Sequence, residues 1–69
     1  MKEYILNIEF ENWTNQLWFM NNDDEETKEK WNEAINNIDS IRNSSENAIE
    51  FQDKVINNFK KFGFIRIQK

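Results

Sequence analysis

A chain of 69 residues with no cysteine, histidine or proline and a single glycine has room for one domain and one small core, because a chain this short buries only about 60% of its unfolded surface. The missing side chains exclude disulfide staples, thiolate and imidazole chemistry, and zinc sites of the Cys/His kind. Thirteen acids against nine bases give a net charge of −4, and with 38% hydrophobic and 14% aromatic residues the expectation is a soluble domain stabilised by packing alone.

Residues 3 to 10 alternate, with Tyr4, Leu6, Ile8 and Phe10 on one side and Glu3, Ile5, Asn7 and Glu9 on the other, which predicts a strand with one buried face. Glu11 to Asn15 carry turn formers and Gln16 to Met20 is a second apolar run. A hairpin with a loop of about five residues follows, with Leu17 and Phe19 inward and Trp18 outward.

The stretch from Asn21 to Glu26 opens a helix, with Asn22 or Asp23 as cap and the acids at the positive end of the dipole. Trp31, Ala34, Ile35, Ile38 and Ile41 recur at spacings of three and four, predicting one helix over about 23–42 with Arg42 near its end. Asn43-Ser44-Ser45-Glu46 is the internal break; Asn43 with Glu46 fits a capping box, and Ser44 or Ser45 is the alternative cap. Ala48, Ile49, Phe51, Val55, Ile56, Phe59 and Phe62 form a broader second stripe. Lys60 and Lys61 in its last turn and Gly63 in the left-handed cap position stop that helix. Phe64 to Gln68 then alternates as a third strand, either parallel beside the first or antiparallel beside the second. The predicted fold is α+β in the order ββααβ, one domain over residues 1–69, a three-stranded sheet with two amphipathic helices on one face.

No apolar run approaches the roughly 20 residues of a membrane span and Met1-Lys2-Glu3-Tyr4 opens no secretory leader, so an unexported, cytoplasmic protein is expected. Asparagine occurs twelve times, isoleucine nine and lysine seven, a usage typical of AT-rich coding such as that of some bacteria and their phages.

The hydroxyls of Thr14, Thr27, Ser40, Ser44 and Ser45 have no histidine base, and a carboxylate pair needs a cleft that so small a core does not wall. A non-catalytic protein without metal or cofactor is expected; the acids lack EF-hand spacing and a loop glycine. Asp23, Asp24, Glu25, Glu26, Glu29 and Glu33, against Lys28 and Lys30, read first as a solvated helix face. Their sharper reading is a row of carboxylates that imitates a phosphate backbone and occupies a basic groove. Trp13, in the predicted loop, and Trp18, on the outward parity, are candidate anchors for a partner; the plain alternative folds Trp13 over the core end and sets Trp18 against Ile5. An outer face of Ile5, Trp18 and Phe64 would also serve a homodimer.

Residues 54 to 69 hold Lys54, Lys60, Lys61, Arg66 and Lys69 and no acid. Within them, Lys60-Lys61-Phe62-Gly63-Phe64-Ile65-Arg66-Ile67 resembles the octamer of the RNA-recognition motif at six of eight positions, with Lys61 in place of a glycine and Ile67 in place of an aromatic. The resemblance spans only these residues, and the octamer of that family lies on an internal strand. It implies that Phe62 and Phe64 stack on bases, with Tyr4 as their partner on the first strand. The residues themselves read as a helix end running into a strand.

The function expected is a non-catalytic protein-binding inhibitor, phage- or mobile-element-encoded, blocking a host protein of a defence-related, nucleic-acid-handling kind through Trp13, Trp18, Asp23, Asp24, Glu25, Glu26 and Glu29. The alternative is a small RNA- or single-stranded-DNA-binding regulator using Lys60, Lys61, Phe62, Phe64 and Arg66.

Overall fold

The structure, a computed structural model, describes residues 2–21 and 24–67, with Lys2 described by its backbone only. The expected caps Asn22 and Asp23, and Lys69 of the basic segment, lie outside the described residues. Strands β1 (Lys2–Phe10) and β2 (Asn12–Met20) form an antiparallel hairpin. The reversal is made by Glu11 alone, at φ +70°, and not by a five-residue loop. Strand β3 (Ile65–Ile67) pairs antiparallel with β2, so the order is β1-β2-β3 and β1 is an edge.

Register decides which tryptophan is buried. Tyr4 stands opposite Trp18, Leu6 opposite Gln16 and Ile8 opposite Thr14. Because side chains alternate with a period of two, the whole even-numbered set shares the face of Tyr4. Trp18 is therefore fully buried, a correction to its outward assignment, and Leu17 and Phe19 take the outer face. The choice is favourable because indole buries more area than leucine, and its N–H is satisfied on the same face: Trp18 Nε1 donates to Gln16 Oε1 at 3.2 Å.

The expected first helix is divided into α1 (Glu25–Asn36) and α2 (Ile38–Asn43). Asp24 is the cap of α1, its carboxylate accepting from Thr27 N–H at 2.9 Å. At the break, Asn37 N–H reaches back only three residues to Ala34 O (3.3 Å), and the same carbonyl accepts Asn58 Nδ2 at 2.9 Å. Asn37 Nδ2 in turn donates to Asn58 Oδ1 at 3.0 Å. A side chain inserted at a helical carbonyl is one of the ordinary causes of a kink, and here it comes from the helix packed alongside. One asparagine each from Asn36-Asn37 and Asn57-Asn58 thus clasps the helices together.

Helix α3 (Ala48–Lys61) is capped by Asn47, which accepts from Glu50 N–H at 2.9 Å. The expected caps Asn43, Ser44 and Ser45 fall short of it; the hydroxyls of Ser44 and Ser45 instead close α2 by donating to Ile41 O at 3.1 and 2.6 Å. The far end follows the expectation. Gly63 has φ +95°, its N–H bonds Lys60 O at 2.9 Å and Phe64 N–H bonds Phe59 O at 3.1 Å, a Schellman stop that needs a residue without Cβ. An added Cβ would meet Met20 Cε at 3.3 Å.

The helices cover the inner face of the sheet. Leu6, Ile8, Ala34, Ile38, Phe51 and Val55 line the core, and its centre is aromatic: Trp31 lies 4.6 Å from Tyr4, 4.9 Å from Phe59 and 5.2 Å from Phe64 between ring centroids.

Trp18→Ala is expected to lose about 3–5 kcal/mol, of the order of the whole stability of a domain this small, whereas Asn58→Ala loses about 1–2 kcal/mol by removing the side-chain bonds to Ala34 O and Asn37 Nδ2. Urea unfolding followed by circular dichroism measures both, and a Trp18→Ala variant as stable as wild type would contradict the register.

Candidate partner-binding surface

With both helical layers on one side, the other side of the sheet has no covering element among the described residues. It carries Ile5 (69% exposed), Trp13 (70%) and Ile65 (50%), with half-buried Leu17, Phe19 and Ile67 between them. The pairing arranges these in rows: Ile5–Leu17–Ile67, Glu3–Phe19–Ile65 and Glu9–Trp13. Glu3 and Glu9 are the charged residues of this face, and no base lies on it among the described residues. Large apolar groups gathered on an uncovered sheet are unlike the scattered apolar surface of a monomer.

Trp13 is exposed as expected, though it sits in β2 and not in a loop. The other proposed anchor, Trp18, is in the core and offers nothing to a partner. Leu17, Phe19, Ile65 and Ile67, which the sequence did not single out, take its place. Their signal was parity: once Trp18 turns inward, odd residues of β2 must turn outward.

The acids of α1 lie on the other side of the molecule, on the helical layer. Glu25, Glu26, Glu29 and Glu33 are all exposed. Glu25 pairs with Lys28 at 3.6 Å and Glu26 with Lys30 at 3.5 Å, surface pairs of small energetic weight, and Glu29 and Glu33 carry no ion pair among the described residues. Asp24 is committed to its cap: hydrogen bonds from Thr27, side chain first and then backbone, hold its carboxyl below the usual value. Asp23 lies outside the described residues. The structure therefore separates what the sequence joined, since acids and Trp13 face opposite ways.

The C-terminal platform does not assemble. Phe64 is buried at 2% exposure with its ring edge-on to Tyr4 at 5.5 Å, Phe62 packs half-buried against the core, and Tyr4 is stacked on Trp31. These rings were assigned to base stacking; the chain reversal at Gly63 draws Phe64 inward before β3 begins. Lys60 and Lys61 stay exposed at the end of α3, Arg66 stands opposite Trp18, and Lys54 is engaged by Glu50 at 2.9 Å and Ser44 O at 3.0 Å.

Compared with known proteins, the chain matches no family model, no curated protein and no solved structure. No helix of the described residues is long and apolar enough to cross a membrane.

Two measurements check this surface. Acrylamide should quench one accessible tryptophan population in wild type and almost none in Trp13→Phe; equal quenching in both would place Trp13 in the core. Because the Asp24 carboxyl titrates below its ordinary value of 3.8, its contribution to stability is complete above that value and is lost as pH falls through the lower folded one. Asp24→Asn keeps a capping oxygen, so its unfolding midpoint should fall less steeply than that of wild type across this acid window.

Proposed function

We propose that this chain is a non-catalytic protein-binding inhibitor that docks on a host protein through the outer face of its sheet. The observation that carries the reading is the apolar surface of Ile5, Trp13, Leu17, Phe19, Ile65 and Ile67 on a face with no helix over it among the described residues. Trp13 is the anchor, as an exposed indole is costly to leave in water and effective in a partner's pocket. The face is flanked by Glu3 and Glu9, and residues 1–53 carry 13 acids against four bases, so the complementary partner presents an apolar patch with a basic rim. A protein that handles nucleic acid has such a rim. Glu29 and Glu33 act at a distance, raising the rate of encounter with a basic surface without filling its groove. The high usage of asparagine, isoleucine and lysine, typical of AT-rich coding, supports an origin on a phage or mobile element, and the target proposed for it is a host defence protein.

The test is capture of the partner from host lysate on tagged protein, with and without nuclease, followed by assay of the partner's own activity. The expected result is a stoichiometric protein that survives nuclease, is inhibited by wild type, and is lost with Trp13→Ala combined with Ile65→Ala. Undiminished inhibition by that folded variant would refute docking on this face, and enrichment that vanishes with nuclease would move the function to nucleic-acid binding. Glu29→Lys with Glu33→Lys should slow association with the captured partner by about tenfold at low salt and far less at high salt.

A further inference from the structure

The open edge of β1 carries a second surface, distinct from the docking of a host protein. Arg42 shows which backbone groups face it: its Nε donates to Glu9 O at 2.9 Å, so the carbonyl of Glu9 points away from β2. In an antiparallel ladder the N–H and C=O of one residue point the same way and alternate along the strand. Glu3, Ile5 and Asn7 therefore turn theirs to the same open edge, while Tyr4, Leu6 and Ile8 bond to β2. Beside this edge, between β1 and the α1–α2 arm, lies an open groove of about 480 Å³ lined by Leu6, Ile8, Ile35, Ile38 and Arg42 among others. Its openness leaves the edge groups of β1 accessible to an added strand.

We propose that the occupant is β1 of a second copy of this chain, paired antiparallel about a two-fold axis through Ile5. Three observations select that register. Centring on Leu6 sets Glu3 against Glu9 of the second copy, a like-charge pair directly opposite, which is destabilising. Centring on Asn7 requires the carbonyl of Glu9, which Arg42 already occupies. Centring on Ile5 sets Ile5 against Ile5 and Glu3 against Asn7 of the second copy, uses only the free edge groups, and opposes no two acids. It also continues the row Ile67–Leu17–Ile5 into Ile5–Leu17–Ile67 of the second copy, an unbroken apolar band across a six-stranded sheet. Arg42, held by Asp39 at 2.7 Å, stops the pairing at Glu9 and keeps the contact closed and isologous, as two-fold dimers require.

The chain has no cysteine, so the test is clean. Sedimentation equilibrium over a concentration series should give twice the monomer mass for wild type and the monomer mass for Ile5→Lys and for Asn7→Pro, whose changes sit on the exposed edge and leave the circular dichroism spectrum unaltered. Ile5→Cys should cross-link to a covalent dimer on mild oxidation, because hydrogen-bonded partners stand about 5.5 Å apart between Cα atoms, within disulfide reach. Asn7→Cys should not, its two copies being about 13 Å apart in this register. A monomeric wild type overturns the proposal. A dimer that persists in Asn7→Pro, or that cross-links through Trp13→Cys and not Ile5→Cys, assigns the contact to the outer face and overturns it too. A monomer that takes up an added extended peptide at this edge assigns the groove to another chain. Loss of host-protein inhibition in Trp13→Ala with the dimer intact separates the two surfaces.

Discussion

The stack of Trp31 on Tyr4, with Phe59 and Phe64 against the same indole, is the contact on which the remaining structure depends. It joins four segments distant in sequence: β1, α1, α3 and the residue that follows Gly63. Trp18 extends it through Phe59 at 5.4 Å, and Phe10 on Phe51 at 5.1 Å repeats the motif at the other end of the sheet. Rings of this size bury much area per residue and favour offset and edge-on geometries. A chain without cysteine obtains from them a core that aliphatic residues at the same positions would fill less completely.

That concentration of large side chains on the inner face has a consequence for the outer one. The helices α1, α2 and α3 cover Tyr4, Leu6, Ile8 and Trp18, and among the described residues none covers Ile5, Trp13, Leu17 and Ile65. Antiparallel sheets commonly leave one face to water, and such faces are then polar. Here the outward residues of β2 and β3 are mostly apolar as well, Trp13, Leu17, Phe19, Ile65 and Ile67, the pattern of a sheet face that is covered. The described residues supply one cover, and the docking proposed above would supply the second. The open edge of β1 carries the same logic, because Arg42 shields the carbonyl of Glu9 while the groups of Ile5 and Asn7 face a groove.

The asparagines show how an unremarkable composition acquires structural content. Asn37 and Asn58 lie far apart in sequence, yet one pair of side-chain amides closes the break between α1 and α2 and ties it to α3. Nothing in the local pattern distinguishes them from Asn32 or Asn57. The stripe from Trp31 to Ile41 had the spacing of one continuous helix, and only the approach of α3 converts Asn37 into a boundary.

The sequence by itself determined what rests on local chemistry. The alternation of β1, the two helical stripes, Gly63 as the stop of α3, the order ββααβ and the absence of thiol and imidazole chemistry all follow from neighbouring residues and from side chains present or missing. Tertiary structure decided what depends on which strands meet and in what register. The single-residue reversal at Glu11 aligned Trp18 with Tyr4, placed that indole in the core and turned Leu17 and Phe19 outward. The chain reversal at Gly63 drew Phe64 inward, so that residues resembling a base-stacking platform became packing. The separation of Trp13 from the acids of α1 has the same origin. Side-chain period is a local property of a strand, but the face that a period selects is fixed by the partner strand, and no residue of β2 carries that information alone.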